Sequence, residues 1–271
     1  MEFRFCNPDA NTFDQEIKLK LLEDWKVEYV SLTDSTGYWI ADNPFQADGF
    51  EKYKELVSTF PVSINNNADT CTDPNPFDTI HLPQWMTQGV INLIINFYKN
   101  NIEPYSANEE VHEWGNLYWK NKSKPIDAFR MAHVDYPHGI VGNLWFSDHA
   151  LGTTGTNLYE YKGQVHELFG KNDGNFASFY DFQVDELHPM YKRYKELSTT
   201  KRLSKWTNWT DDEAAEFGFV KVGMVPAEYS KLTMYKSSTP HCPYIEDSID
   251  FRWSHTFAFQ HSIMTAQDFF K

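Results

Sequence analysis

The sequence predicts a mainly β protein with helical support, an α+β fold in which short strands form a sandwich, barrel or jelly roll. Aromatic residues make up 17% and hydrophobic residues 41% of the 271 residues, enough to build a core. Short segments rich in β-branched and aromatic residues follow one another from about residue 127. Helical patterns occur in the first 105 residues and in one later insert.

We assign residues 1–105 to an N-terminal α/β extension with supporting helices, and residues 106–271 to the core. In the extension, "QEIKLKLLEDWKVEYVSL" fits a short helix or a pair of strands. The segment "PFQADGFEKYKELVSTF" predicts an amphipathic helix with Phe50 and Tyr53 on one side. The segment "LPQWMTQGVINLIINFYKNN" predicts a second helix, with Pro83 near its start.

The core contains six segments with the composition of strands. They are "DAFRMAHVDY", "IVGNLWFS", "TGTNLYEYKG", "GFVKVGMVP", "SKLTMYKSS" and "DFRWSHTFAFQ". An insert at about residues 164–216 separates the third from the fourth. Its segment "DELHPMYKRYKELS" predicts a helix, and Thr210 and Glu213 have the spacing of a capping box. An insert of this size beside a barrel mouth is a candidate lid.

Charge and cysteine content indicate where the protein works and what it contacts. The net charge of −14 disfavours nucleic acid and anionic membranes as partners, although an acidic chain can still carry a local basic groove. Three cysteines predict no disulfide framework. Since "MEFRFCNPDA" has no signal-peptide pattern and "GVINLIINFY" is too short to span a membrane, we expect a cytoplasmic protein. The oligomeric state is open.

His133 and Asp135 lie two residues apart in the first predicted strand of the core. Side chains alternate faces along a strand, so these two would converge on one face. An imidazole nitrogen and a carboxylate oxygen are a good ligand pair for a divalent first-row metal. Alone, such a short motif is a weak signal, because chance produces similar pairs.

A second feature lies near the C-terminus, where His241 is expected in a turn opened by Pro240 and Arg252 in the last strand. Arg252, Ser254 and Thr256 share one small, polar face of that strand, and large apolar residues dominate the other. If the polar face lines the interior, the guanidinium needs an anion, and its planar fork suits a carboxylate. The same face carries no acid, so a bound dicarboxylate would fit.

The order His-x-Asp, distal histidine and Arg-x-Ser resembles the Fe(II)- and 2-oxoglutarate-dependent oxygenases, in particular their prolyl-4-hydroxylase-like branch. The resemblance covers about residues 127–260, and "TGTNLYEY" and "RWSHTFAF" also look like strands of that family. It implies a double-stranded β-helix (jelly roll) with iron held by His133, Asp135 and His241. It further implies that Arg252 and Ser254 bind the distal carboxylate of 2-oxoglutarate.

The family also implies a tyrosine that contacts the cosubstrate, for which we choose Tyr159; Asn143 is a weaker candidate for a contact to the same molecule. The implied reaction consumes O2 and 2-oxoglutarate and releases succinate and CO2. The main hypothesis is a dioxygenase that hydroxylates an amino-acid side chain, either in a peptide or protein or in a free metabolite.

Two further hypotheses stay open. One keeps the cofactors but places a nucleobase or alkylated nucleic acid in the site, with the basic, aromatic run "YKRYKELSTTKRLSKW" tracking phosphates. A run of this kind is more often a solvated helix face. The other is a jelly-roll module for binding or structure without catalysis. It explains the strands but not an inward-facing Arg252.

Overall fold

The computed structural model describes residues 26–43, 45, 48–59, 78–81, 110–121, 132–134, 139–169, 176–202, 210–246, 248–249 and 251–262. Within these ranges the protein is mostly β, its strands pair in antiparallel fashion and its helices are few. This confirms the predicted mainly β class. The predicted helix at residues 82–101 lies outside the described ranges, as does Asp135.

In chain order the strands are β1 (Val27–Ser31), β2 (Gly37–Ala41), β3 (Asp78–His81), β4 (Glu110–Asn121), β5 (Gly139–Trp145), β6 (Thr154–Tyr161), β7 (Val165–Phe169), β8 (Phe176–Tyr180), β9 (Phe219–Pro226), β10 (Leu232–Lys236), β11 (His241–Ile245) and β12 (Phe251–Ser262). The helices described are α1 (Gly49–Thr59), α2 (Asp181–Val184), α3 (Tyr191–Arg202) and α4 (Asp211–Glu216). No helix among the described residues is long and apolar enough to cross a membrane.

Seven strands form the larger sheet, in the order β1-β2-β10-β5-β12-β4-β3. Strand β12 pairs with both β4 and β5, and β10 joins β5 to the N-terminal hairpin of β1 and β2. Three strands from the first 105 residues therefore hydrogen-bond into the same sheet as the strands of the predicted core. The domain division at residue 105 stays a prediction.

Three strands form the smaller sheet, in the order β11-β6-β9. His133 adds one isolated antiparallel bridge on the other side of β11. Most of the predicted strand at residues 127–136 lies outside the described residues. Between β6 and β9 the register shifts at Leu158 and Tyr159, which marks a β-bulge. The sheet therefore places β6 in the centre, with β11 and the bridge residue on one side of it.

Helix α1 covers the outer face of the larger sheet. Its residues Phe50 and Tyr53 are buried, as the amphipathic pattern predicts, and both rings lie near Phe146. The Tyr53 hydroxyl is 3.1 Å from Nδ1 of His255, which lies on the outer face of β12. Trp253 lies on the same outer face, with its ring 4.6 Å from that of Phe146. These contacts confirm the predicted apolar face of the last strand.

The insert between β6 and β9 covers the outer face of the smaller sheet. It contains the hairpin β7-β8 and helices α2, α3 and α4, and the capping box of Thr210 and Glu213 is present as predicted. Phe182 of α2 and Ala214 of α4 belong to one buried cluster with Tyr159 of β6. The insert therefore contacts the core through its own aromatic residues. Its role as a lid stays a prediction.

The inner faces of the two sheets meet in a second cluster. Leu158 and Val225 from the smaller sheet contact residues of the larger one, which include Tyr38, Val141 and Tyr235. Because side chains alternate along each strand, the residues two positions further along the chain also face this interior. The interior is apolar around this cluster and becomes polar toward Arg252.

Candidate functional site

The structure brings His133 and His241 together. The two residues exchange backbone hydrogen bonds, from His133 N to His241 O at 2.9 Å and from His241 N to His133 O at 2.8 Å. Their imidazole rings lie side by side with centroids 4.5 Å apart. Two predicted ligands that the sequence separates by more than a hundred residues are thus neighbours on adjacent chain segments.

The predicted turn at His241 is wrong, because this residue begins strand β11. Pro240 and Pro243 obscure the strand, since proline lacks the backbone N–H of a ladder. In the described sheet, β11 has β6 on one side and only a single bridge on the other, and prolines are tolerated at such positions. The strand fixes the backbone of His241 more firmly than a turn would.

A backbone carbonyl orients the His241 ring. Nδ1 of His241 lies 2.9 Å from the Thr239 carbonyl oxygen, which can only accept, so Nδ1 donates this hydrogen bond and Nε2 carries the lone pair of the neutral tautomer. The side chain is 4% exposed. A histidine whose one nitrogen donates to a carbonyl while the other presents a lone pair has the arrangement usual for a metal ligand.

The third predicted ligand, Asp135, lies outside the described residues. Among those described, no three His, Cys, Asp or Glu side chains lie together as a metal site. The ligand set His133, Asp135 and His241 therefore stays a prediction. Its two histidines are adjacent, and Asp135 follows His133 by two residues.

Arg252 points into the interior between the two sheets. Its Nη1 donates to the Gly155 carbonyl at 2.6 Å, and Thr154 Oγ1 and the Tyr244 carbonyl each lie 3.4 Å from the same nitrogen. The face of the Trp145 ring lies 5.1 Å below the guanidinium carbon. Arg252 is 9% exposed, and no carboxylate of a described residue pairs with it.

Burial lowers the pKa of the Arg252 guanidinium to about 10, and the nearby Tyr235 acts in the opposite direction. The group therefore remains cationic at neutral pH. Its Nε and Nη2 have no hydrogen-bond partner in the described part of the chain. A buried cation with two donors left on one edge is suited to a bound carboxylate.

Ser254 shares the inner face of β12 with Arg252, as predicted. Its hydroxyl lies 3.3 Å from Oδ1 of Asn143 and 3.2 Å from the Thr256 hydroxyl. Thr256 in turn donates to the same Oδ1 at 2.5 Å, a length typical of O–H···O bonds. These contacts place the Asn143 oxygen toward β12. The amide nitrogen of Asn143 has no partner among the described residues and supplies further donors to the interior.

Tyr159 lies on the opposite face of β6 from Thr154 and Leu158, so the structure does not bring it together with Arg252. Its hydroxyl is 3.4 Å from both Asn157 Nδ2 and Cys242 Sγ, beneath the insert. Burial raises the pKa of this phenol. The predicted cosubstrate contact of Tyr159 stays a prediction.

A different tyrosine, Tyr235 of β10, faces the interior between the sheets beside His241. Its ring meets that of His241 edge-on, with centroids 4.9 Å apart, and its hydroxyl is close enough to influence Arg252. Sequence reasoning missed it. The alternation of "LTMYK" places Thr233 and Tyr235 on one face, but only the pairing with β5 shows that this face is the inner one.

The strand register sets the distance between the two halves of the site. His241 lies opposite Leu158 of β6, whereas Arg252 is anchored at Thr154 and Gly155. Three to four residues along a strand correspond to roughly 10–13 Å. After the side chains have reached inward, this spacing accommodates a metal ion and a diacid of a few carbons.

The comparisons with known proteins give distant likenesses of fold. No protein-family model matches the sequence, and no curated protein matches it. Similar solved structures include HygX from Streptomyces hygroscopicus with nickel, 2-oxoglutarate and hygromycin B bound, at 10% identity over 86% of each chain and a TM-score of 0.48. EvdO2 from Micromonospora carbonacea var. aurantiaca is 9% identical over 86% of this chain and 89% of that chain, with a TM-score of 0.43.

A Pseudomonas putida prolyl-4-hydroxylase is 11% identical over 83% of this chain and 93% of that chain, with a TM-score of 0.32. All three TM-scores lie below 0.5, so these likenesses carry no assignment of substrate or activity.

Proposed function

We propose that the protein is a non-haem Fe(II)- and 2-oxoglutarate-dependent dioxygenase with a double-stranded β-helix core. In this proposal it hydroxylates an amino-acid side chain, in a peptide or protein or in a free metabolite. One observation carries the proposal. A buried Arg252 with no carboxylate partner among the described residues faces the same interior as two adjacent histidines.

The donor set fits iron. His133 and His241 would supply two nitrogen ligands and Asp135 the carboxylate, which leaves coordination positions open for the cosubstrate and O2. The hydrogen bond from His241 to Thr239 holds one ring in the orientation that a metal ligand needs. When bound, iron together with 2-oxoglutarate and O2 supplies the oxidant for a C–H bond and yields succinate and CO2.

The interior between the sheets fits 2-oxoglutarate. Nε and Nη2 of Arg252 would bind the distal carboxylate in a bidentate pair, and Ser254 would donate to the same group. Asn143 and Tyr235 lie between Arg252 and His241 along the sheet and would contact the middle of the molecule. The apolar cluster around Leu158 and Tyr38 closes one side of this space to water.

Amino-acid side chains are the substrate class that we prefer to nucleic acid. In the basic helix α3, which the nucleic-acid hypothesis would need, Arg193 pairs with Glu216 at 3.0 Å and Lys192 lies 4.0 Å from Glu196. These neighbouring acids lower the local positive charge of the helix surface that would contact phosphates. The pairing gives no support to a nucleic-acid substrate and leaves a small-molecule or peptidyl substrate as the proposal.

The test is anaerobic addition of Fe(II) and 2-oxoglutarate, followed by absorption spectroscopy. We expect a visible charge-transfer band that requires both additions. We also expect succinate release once O2 is admitted. His133→Ala should abolish the band and succinate release. His149→Ala on the β5–β6 loop, which is not among the predicted ligands, is the matched control and should retain both.

Two outcomes would count against the proposal. If the wild-type protein binds neither Fe(II) nor 2-oxoglutarate in calorimetry, a jelly-roll module without catalysis becomes the better description. If His133→Ala behaves like His149→Ala, the metal lies elsewhere or is absent.

A further inference from the structure

We propose that Trp145 positions the guanidinium of Arg252 for the second carboxylate of the bound diacid. By orienting the guanidinium, Trp145 would favour ligands whose second carboxylate reaches Arg252. The inference rests on the proposed function, because it concerns the affinity of the same site for 2-oxoglutarate. It adds a positioning residue that acts through Arg252 without itself touching the metal.

The hydrogen bonds of Arg252 with the described residues do not fix the rotation of the guanidinium plane. Among the described residues the guanidinium has three oxygen contacts, all of them through Nη1, with Gly155 O at 2.6 Å as the closest. A planar group held at one nitrogen can still rotate about that anchor. A bidentate pair with a carboxylate needs the plane and the free edge to be set as well.

The Trp145 ring supplies the missing restraint. It lies 5.1 Å from the guanidinium carbon, within the range of a cation–π contact. Trp145 lies opposite Ser254 in the pairing of β5 with β12, so its ring is adjacent to the side chain of Arg252. With Nη1 anchored on the smaller sheet and the plane lying against Trp145, the remaining edge of Nε and Nη2 has a fixed direction.

The indole itself is held in place. Trp145 is fully buried, and its Nε1 donates to Oγ1 of Thr233 on β10 at 2.9 Å. Thr233 Oγ1 also lies 3.5 Å from the Asn143 carbonyl. A chain of contacts therefore runs across three neighbouring strands, from Thr233 through Trp145 to Arg252. A side chain tethered at both its ring face and its N–H loses little freedom when the ligand binds.

The contact also offsets part of the cost of a buried charge. No described carboxylate neutralises Arg252, and burial disfavours its cationic form. The negative face of an aromatic ring stabilises a desolvated cation without competing for its hydrogen-bond donors. Trp145 thus keeps the guanidinium charged and oriented while leaving Nε and Nη2 available to a carboxylate.

The test compares two ligands on the Fe(II)-loaded, full-length protein under anaerobic conditions. 2-Oxoglutarate has a chelating head and a second carboxylate, whereas oxalate chelates iron but does not reach Arg252. We expect Trp145→Leu to weaken 2-oxoglutarate about tenfold and to leave the Kd of oxalate within about twofold, as measured by calorimetry. Trp145→Phe keeps an aromatic face and should lose about threefold or less.

A double-mutant cycle adds a second readout. In an Arg252→Met background, Trp145→Leu should have no further effect on 2-oxoglutarate, because both changes remove the same interaction. Thr233→Val keeps the indole but removes its hydrogen-bond acceptor, and it should weaken 2-oxoglutarate more than oxalate. This variant provides the test if Trp145→Leu does not fold.

The inference is overturned if Trp145→Leu weakens both ligands equally, since that pattern indicates general damage to the site. It is also overturned if neither ligand is affected, or if the two substitutions act additively in the cycle. If wild-type protein binds Fe(II) and oxalate but not 2-oxoglutarate, the proposed function itself fails. Wild-type binding with an unaffected variant overturns the role of Trp145 alone.

Discussion

The two faces of strand β12 have opposite characters. On the outer face, Trp253 and His255 contact Phe146 and Tyr53 in an aromatic layer beneath helix α1. On the inner face, Arg252, Ser254 and Thr256 contact carbonyl and amide oxygens and hydroxyl groups. One strand of twelve residues therefore separates a layer that holds the fold together from a layer that is suited to hold a ligand.

The difference follows from the groups that each face buries. The outer face buries apolar area against a helix, which stabilises the folded chain. The inner face buries a cation at a cost, and the described residues use only part of its hydrogen-bond donors. Substitutions on the outer face should therefore change stability with little effect on ligand binding. Substitutions on the inner face should do the reverse.

The largest expected effect is on the outer layer. Phe50 is 2% exposed, and its ring lies 5.5 Å from that of Phe146 and 5.2 Å from that of Tyr229. Phe50→Ala leaves a cavity and should lower the free energy of unfolding by about 3–5 kcal/mol. Urea unfolding measures the loss. The Kd of 2-oxoglutarate for the protein that remains folded should stay within about twofold of wild type. A large loss of 2-oxoglutarate affinity in the folded variant would contradict the expectation that the outer face affects stability alone.

The next effect is a pH dependence of stability that originates on the same outer face. Burial lowers the pKa of the His255 imidazole from the ordinary 6.5 to about 4. Between these values the unfolded chain binds a proton that the folded chain does not, so the stability contribution is present above pH 6.5 and is lost as the pH falls toward 4. The full loss corresponds to roughly 3 kcal/mol.

His255→Gln should remove this component. The variant can keep a polar contact to Tyr53 but does not titrate, so its free energy of unfolding should fall less steeply between pH 6.5 and pH 4. Comparison of both proteins at pH 8, where the wild-type imidazole is neutral, separates any packing change from the titration. Equal slopes for variant and wild type would show that His255 is not the group responsible.

On the inner face, Arg252→Met should weaken 2-oxoglutarate about a hundredfold, because it removes a bidentate, charge-assisted pair. The free energy of unfolding should be unchanged or higher, since a buried cation is replaced by an apolar chain of similar length. Arg252→Lys keeps the charge without the planar fork, so its affinity for 2-oxoglutarate should lie between those of wild type and Arg252→Met. An affinity unchanged in Arg252→Met would remove Arg252 from the site.

Much of this two-faced arrangement could be predicted from the sequence. Alternation in "DFRWSHTFAFQ" correctly separated Arg252 from His255, because the period of a strand depends only on local geometry. Four other predicted segments correspond to β5, β6, β9 and β10. The helix with Phe50 and Tyr53 on one side was also confirmed, because an amphipathic period is read locally.

Features that depend on pairing between distant segments could not be predicted. Strand β11 was hidden by its prolines and exists because it pairs with β6. The inward direction of Tyr235 depends on its position opposite Val141 of β5. The exchange of backbone bonds between His133 and His241 likewise joins segments far apart in the chain, which single-sequence patterns do not specify.

The smallest expected effect distinguishes the two tyrosines that compete for the aromatic contact to the cosubstrate. Tyr235 faces the interior beside His241, whereas Tyr159 lies beneath the insert with its hydroxyl near Cys242. Tyr235→Phe should remove one hydrogen bond to the ligand and weaken 2-oxoglutarate about fivefold, which corresponds to about 1 kcal/mol. Tyr159→Phe, the matched control, should leave the Kd within about twofold. A selective loss in Tyr159→Phe instead would support the assignment made from the sequence, and it would require β6 to present its other face to the ligand.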